Sequence, residues 1–158
     1  MSQLRNEILA AEETAWHALH DACARLTEAQ WTTPGATGDW SLKDLLAHVG
    51  CWAAEAARQL ECIRAGSPSR GPELDAFNAA SHDTCKDLTV HEVIAMASAA
   101  HHRLQEEIDQ VAPVALSGKV VEMIHECADR HYREHLGQLL AFIDSGIDAG
   151  IEAGRPDA

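Results

Sequence analysis

Apolar side chains recur every three or four residues along four long stretches of the chain, which is the spacing of one face of an α-helix. The first stretch runs from Ser2 to about Leu26, and its stripe consists of Leu4, Ile8, Ala11, Ala15, Leu19, Ala22 and Leu26. Pro34, Gly35 and Gly38 then interrupt the pattern. They predict a loop after the first helix.

The second stripe begins at Ser41, whose hydroxyl can accept a hydrogen bond from the backbone N–H of Asp44. The carboxylate of Asp44 also suits the positive end of a helix, so this pair predicts a helix start. The helix is expected to end near Gly66. Segment 66–87 has weak periodicity, which predicts a long connection with a short helix around Leu74 to Ser81.

Two further stripes predict a third helix from about Thr89 to Val111 and a fourth from about Ser117 to Ser145, with Pro113 between them. Short links join the first helix to the second and the third to the fourth, and one long crossover joins the two pairs. This arrangement predicts an all-α four-helix bundle. We expect residues 1–146 to form this single domain and residues 147–158 to fray as a C-terminal tail.

Charge and cysteine usage narrow the class of function. The 25 acidic and 12 basic residues give a formal net charge of −13, so the chain lacks the cationic surface that a nucleic acid or an anionic membrane requires. The five cysteines form no CxxC pair and predict no disulfide framework. No segment resembles a signal peptide or a membrane span. We therefore expect a protein of the reducing cytoplasm.

His131 and His135 are four residues apart in the fourth predicted helix, so both point to the same side. On a helical wheel at about 100° per residue, that side is the apolar one. It also carries Ile124, Cys127, Ala128, Leu139 and Phe142. The opposite half carries Glu126, Asp129, Arg130 and Arg133. Two inward imidazoles need partners for their ring nitrogens, and either buried polar groups or one metal ion shared by both rings can supply them.

A third metal ligand can come from either of two histidines. His101 is nearly central on the apolar stripe of the third helix and so points inward. His48 lies on the flank of the second helix with Trp52 and Glu55, a position from which it can reach a neighbouring helix. The wheel favours His101, but geometry alone does not decide between the two. We expect a surface position for His17, His82 and His102.

The segment GDWSLKDLLAHVGCW, residues 38–52, resembles the DinB-like superfamily. The likeness continues through LECIRAG and LDAFNAA to HYREHLGQL, and within the superfamily it is nearest to four-helix-bundle proteins of the ClbS/DfsB type. DinB-like proteins bind a metal ion through one histidine of the second helix and an HxxxH motif of the last. The resemblance thus implies His48, His131 and His135 as ligands, and it leaves His101 as a candidate for an outer contact or a substrate contact.

Three neutral imidazoles leave coordination positions open on the ion, which is typical of a catalytic metal site. The donor set suits Zn, Ni, Fe(II) or Cu and does not separate them. Glu55 and Glu134 are candidates to orient the imidazoles, and both are equally well explained as surface acids. Trp40, Trp52 and Tyr132 are candidates to line a substrate pocket, although tryptophan residues in a small bundle are more often part of the core.

The resemblance implies alternative functions. In the first, the chain is an enzyme whose metal site activates water or a low-molecular-weight thiol against a small electrophile, as in detoxification or self-protection. In the second, it binds or sequesters a small molecule without turnover, in the manner of ClbS/DfsB-type proteins. In a third, the histidines hold no metal and only satisfy one another. Since the family includes dimers, we also expect a homodimer.

Overall fold

The computed structural model describes residues 3–145 and places seven α-helices and one short hairpin in them. The helices are α1 Gln3–Cys23, α2 Glu28–Thr32, α3 Leu42–Arg64, α4 Leu74–Cys85, α5 Val90–Gln110, α6 Gly118–Cys127 and α7 Asp129–Asp144. Strands β1 Pro34–Thr37 and β2 Trp40–Ser41 pair antiparallel. The predicted all-α class is thereby confirmed. The predicted tail, residues 147–158, lies outside the described residues, and the single domain over residues 1–146 stays a prediction.

The bundle consists of four helical rods. Helices α1, α3 and α5 each form one rod, and α6 and α7 together form the fourth. Helix α3 packs most extensively against α5, and α1 packs most extensively against α7. The apolar stripes meet between the rods, where the fully buried side chains include Ile8, Leu45, Leu60, Leu104, Ile108 and Ile124. The crossover between α3 and α5 carries α4, which lies against α3. Helix α4 extends four residues beyond the predicted Ser81, to Cys85.

The connection between α1 and α3 contains more structure than the predicted loop. Helix α1 ends at Cys23, and α2 then begins with a capping box in which the side chains of Thr27 and Gln30 each accept from the other's backbone N–H. The hairpin follows, with a φ of 54° at Gly38 in its turn. Its second strand leads directly into the Ser41–Asp44 capping box of α3, which confirms the predicted helix start.

The prediction of one continuous fourth helix was wrong. The helix breaks at Ala128, where φ is −126° and ψ is −101°. Helix α6 packs chiefly against α3 and α7 chiefly against α1, so the two halves follow different neighbours. The break turns Asp129 inward, where its carboxylate accepts hydrogen bonds from His125 at 2.5 Å and Arg133 at 2.7 Å. The prediction that Asp129 faces solvent was therefore wrong, since it assumed a continuous helix.

Gly50 marks a close approach of α3 to α5. A Cβ atom at this position would lie 2.9 Å from Cα of Ala97 and 3.1 Å from its Cβ. The nearer of these atoms belongs to the backbone, so a methyl group at position 50 requires the two helices to move apart.

We expect Gly50→Ala to lower the free energy of unfolding by about 1–3 kcal/mol, the usual cost of overpacking, although alanine favours a helix by up to about 1 kcal/mol. Gly137 of α7 offers the matched control, because a Cβ there would meet nothing within 4 Å. Gly137→Ala should therefore raise the free energy of unfolding by about 0.5–1 kcal/mol. Urea unfolding measures both, and equal stabilisation by the two substitutions would contradict the close approach.

Candidate metal centre

His48 of α3 meets His131 and His135 of α7 at one point of the structure. Nε2 of His131 lies 3.0 Å from Nε2 of His48 and 2.8 Å from Nε2 of His135. The three rings each present a ligand atom, and these atoms lie within 4.8 Å of one another. The three-histidine group can therefore hold a metal ion.

Local structure fixes the position of each ring. The capping box at Ser41 starts α3 two turns before His48. The break at Ala128 starts α7, so that His131 and His135 occupy its first two turns on one face. The chain thus brings the three imidazoles together from two helices whose beginnings are both close to the site.

Hydrogen bonds among the three rings do not account for this geometry. A ring nitrogen has one in-plane position, which holds either a proton or a lone pair. Nε2 of His131 contacts the Nε2 atoms of both His48 and His135, so hydrogen bonds cannot satisfy all three atoms together. One cation would bind all three lone pairs at once. The residues therefore fit a metal ion better than a cluster in which histidines satisfy only one another.

Gln138 orients the ring of His135. Its Oε1 lies 2.7 Å from Nδ1 of His135, and an amide oxygen can only accept, so Nδ1 carries the proton and Nε2 keeps its lone pair. The sequence offered one sign of this contact, a polar side chain three residues after the second histidine. In the described part of the chain, Nδ1 of His48 is buried without a hydrogen-bond partner. The ring of His131 interacts with the backbone of Cys127, one turn earlier in the sequence, which opposes the fall in the pKa of His131.

The two acids that were candidates to orient the imidazoles are placed otherwise. Glu55 is buried and accepts hydrogen bonds from Arg58 at 2.6 and 2.7 Å and from Gln59 at 3.1 Å. Glu134 lies beside the histidines, where its charge raises the pKa of His135, but within residues 3–145 it forms no hydrogen bond to the ring. Gln138 performs the role that was predicted for an acid.

Burial sets the protonation state of the three rings. Desolvation, with a smaller contribution from the neighbouring ring of His135, lowers the pKa of His48 to about 4. The same causes, together with the ring of His48, lower the pKa of His131 to about 3. Burial also lowers the pKa of His135, against the opposing effects of Gln138 and Glu134. All three rings are neutral at pH 7, which is the form that binds metals.

These pKa shifts predict that the metal-free protein loses stability in acid. In the folded chain His48 and His131 stay neutral to about pH 4 and pH 3, whereas in the unfolded chain they take up protons near pH 6.5. The unfolded state therefore binds more protons below pH 6.5, and the contribution of both rings to stability falls as the pH falls from there. Urea unfolding between about pH 7.5 and pH 4.5 measures this slope.

A variant without one buried ring tests the origin of the slope. We expect His131→Phe to show a shallower loss of stability in acid, because one proton fewer is taken up on unfolding. The same slope in His131→Phe and in the unsubstituted protein would contradict the burial of this ring.

His101 and Tyr132 belong to a second buried cluster and do not reach the three histidines. Glu12 of α1 is at its centre, with Oε1 2.8 Å from Nδ1 of His101. The hydroxyl of Tyr132 donates to the same oxygen at 3.1 Å, and Gln105 donates to Oε2 at 3.0 Å. Trp16 stacks on His101 with ring centroids 4.6 Å apart. The structure therefore gives these two residues positions in the core, away from the candidate metal centre.

A cavity of about 420 Å³ adjoins the three histidines. Its other lining residues are Trp52, Leu74, Asn78, Glu126, Cys127 and Glu134. The indole N–H of Trp52 donates to Oδ1 of Asn78 at 3.0 Å, which ties α3 to α4 over the cavity. Burial raises the pKa of the Cys127 thiol to about 12, so this cysteine is not a nucleophile at neutral pH.

Trp40 lies at the other side of His48. Its ring meets His48 edge-on with centroids 5.3 Å apart and stacks on His82 at 5.2 Å. Trp40 thus supports the ring of His48, whereas Trp52 forms part of the cavity wall. His82 is half-buried in α4, and the prediction of a surface position for it was wrong, because the helix continues past Ser81 and the ring of His82 stacks on Trp40.

Comparisons with known proteins bear on the family and the fold. The family model described as the mycothiol maleylpyruvate isomerase N-terminal domain matches residues 13–137. A crystal structure of an uncharacterised protein from Escherichia coli UTI89 is similar, with 14% identity, a TM-score of 0.75 and coverage of 89% of this chain and 93% of that one. At this identity the likeness shows the fold alone. No curated protein matches the sequence.

The resemblance to ClbS/DfsB-type proteins stays a prediction. Among residues 3–145 no helix combines the length and the apolar character that crossing a membrane requires. The matched domain is itself a DinB-like helical domain, which confirms the superfamily predicted from the sequence. The chain therefore belongs to the family of the mycothiol maleylpyruvate isomerase N-terminal domain.

Proposed function

We propose that the chain is a metal-dependent enzyme in which His48, His131 and His135 bind a divalent transition metal and the adjoining cavity receives a small electrophile. The convergence of three Nε2 atoms beside a cavity of about 420 Å³ is the observation that supports this proposal most. Catalytic sites characteristically combine three protein ligands with open coordination positions, whereas structural sites use four.

A divalent ion in such a site lowers the pKa of a bound water or thiol and so supplies a nucleophile at neutral pH. The chain's own residues orient the metal-binding imidazoles and bind the substrate. Gln138 holds the ring of His135, and Trp52 with Leu74 gives the substrate an apolar wall. Asn78 accepts from Trp52 through its oxygen, which leaves its amide N–H groups to donate to a substrate.

The nucleophile is proposed to come from a small molecule. Burial raises the pKa of Cys127 to about 12 and that of Cys51 to about 11, so neither is a thiolate at neutral pH. The description of the family names a mycothiol-linked isomerase, which favours a low-molecular-weight thiol over water as the activated group. Sequestration without turnover would use the same cavity, but it gives no role to three ligand atoms that converge on one point.

Turnover tests the proposal directly. The metal-loaded protein, prepared without an affinity tag, is incubated with a low-molecular-weight thiol such as mycothiol and an α,β-unsaturated carbonyl compound, and loss of the electrophile's absorbance is followed. We expect acceleration that disappears on chelation and in His131→Ala. Binding of the electrophile without acceleration, with either the thiol or water as nucleophile, would favour sequestration instead.

Cytoplasmic location and a homodimer are part of the same proposal. All five cysteines are free, and Sγ of Cys51 and Sγ of Cys85 stay 3.9 Å apart without a bond, as a reducing compartment favours. Leu4 of α1 and Leu140 of α7 are exposed on two helices that pack together. They offer an apolar surface to a second copy. Light scattering coupled to gel filtration measures the mass, and a monomer at all concentrations would contradict the dimer.

A further inference from the structure

We propose that the cavity beside the three histidines selects small molecules that carry a positively charged, ammonium-type group and discriminates against anions. This inference names the substrate class of the site and rests on the proposed function. Glu126 and Glu134 are the residues that we assign to this selection.

The charge of the cavity lining carries the argument. Glu126 of α6 and Glu134 of α7 are the acidic residues of the lining, and no lysine or arginine belongs to it. Neither carboxylate forms a hydrogen bond or an ion pair with another residue in the described range 3–145. Both are exposed, so they lie at the mouth of the cavity with oxygens free to bind a ligand.

The nearest guanidinium groups are engaged elsewhere. Arg130 forms its ion pair with Glu122 at 2.7 Å and interacts with Glu126 more weakly, through charge alone. Arg133 binds Asp129 at 2.7 Å. A carboxylate of a substrate would therefore meet two like charges at this mouth, and the described lining of the cavity offers it no lysine or arginine.

The other walls suit a cation as well. Trp52, whose ring also packs on Phe77, gives the cavity an aromatic wall, and indole rings attract ammonium groups. The net charge of −13 adds an attractive field for cations around the whole chain. A metal ion at the three histidines would introduce positive charge at the inner end only. The fitting substrate is thus a molecule whose reacting end approaches the histidines while its ammonium-type end lies between the two glutamates.

Three probes of similar shape that are poor metal ligands test the inference: benzyltrimethylammonium, benzyl methyl sulfone and phenylmethanesulfonate, which are cationic, neutral and anionic. Their dissociation constants are measured at low ionic strength from the NMR signal of the Trp52 indole N–H, which Trp52→Phe identifies. One exposed carboxylate at contact distance raises the affinity for a cation about fivefold. With two, we expect the cation to bind at least about tenfold more tightly than the sulfonate, with the sulfone in between, and salt to reduce the difference.

Variants separate the two glutamates from the general field of the protein. The double variant Glu126→Gln/Glu134→Gln should bring the ratio of the cation and sulfonate dissociation constants close to one. Glu106→Gln/Asp109→Asn changes the net charge equally at two exposed positions of α5 outside the lining, and it should keep the preference. Absence of cation binding at about millimolar probe, equal or tighter binding of the sulfonate, or a preference that survives in the first variant would overturn the inference.

Each measurement is made with metal-free and with zinc-loaded protein, so that the two proposals can fail separately. A protein that takes up no metal but prefers the cation contradicts the proposed function and supports the charge selection. A protein that binds metal and prefers the sulfonate in both forms contradicts the charge selection alone. In the loaded form, the double variant should still lower the affinity for the cation relative to the unsubstituted protein.

Discussion

Protein stripped of metal by chelation will bind one equivalent of a divalent transition metal, and His131→Ala will lower the affinity by at least about 100-fold. Nε2 of His131 contacts the Nε2 atoms of both other rings, so its loss removes the central ligand. Loss of a group that only orients a ligand costs about 10–100-fold in metal affinity, and loss of the ligand itself costs more. Calorimetric titration of the untagged protein with zinc and nickel measures both constants.

Two further variants show whether the loss is specific to this site. Gln138 contacts His135 and not the ion, so Gln138→Ala should weaken metal binding by about 10–100-fold. His101 lies in the core with Glu12, so His101→Ala should leave the stoichiometry at one, provided that it folds. Metal binding that survives His131→Ala, or that disappears in His101→Ala, would place the site elsewhere.

The choice of the third histidine shows what could and could not be predicted from the sequence. A helical wheel gives the angle of a side chain from the apolar stripe of its own helix, but it does not say which neighbour stands in that direction. His101 is central on its stripe and therefore points at Glu12 of α1. His48 is on a flank, and from there its ring meets α7. Only the resemblance of the sequence to the DinB-like superfamily favoured His48, and in the structure it is the ring that joins the pair.

The sequence predicted the long helices, whose apolar stripes repeat over many residues. It did not predict features that depend on only a few residues. The four rods follow from long apolar stripes, since each residue of a stripe adds to the same evidence. The break at Ala128 has no proline or glycine to announce it, and it turned Asp129 from a predicted surface acid into a buried one. The Thr27 and Gln30 capping box that starts α2 was visible in the sequence, but a helix of five residues leaves no stripe.

Glu12→Ala will lower the free energy of unfolding by about 3–5 kcal/mol, which is a large share of the 5–15 kcal/mol of a typical domain. Glu12 is fully buried, and its two oxygens serve three partners from α5 and α7, namely His101, Gln105 and Tyr132. Removing the carboxylate leaves these groups buried without an acceptor, at a cost of about 1–3 kcal/mol for each that stays unpaired. It also leaves a void between α1 and the rest of the bundle.

Graded variants tie this loss to the hydrogen bonds of Glu12. Tyr132→Phe removes one of them and should cost about 1–1.5 kcal/mol, whereas Glu13→Ala, at the exposed neighbouring position, should stay within about 0.5 kcal/mol. Glu12→Gln keeps the shape of the side chain and part of its hydrogen bonding. Its loss in free energy of unfolding should therefore be larger than that of Tyr132→Phe and smaller than that of Glu12→Ala. It can be measured even if the alanine variant does not fold. Because Tyr132 follows His131 directly on α7, Glu12 also holds the helix that carries two of the three histidines. A cost below about 1 kcal/mol for Glu12→Ala in urea unfolding would show that α7 is held in place by apolar packing alone.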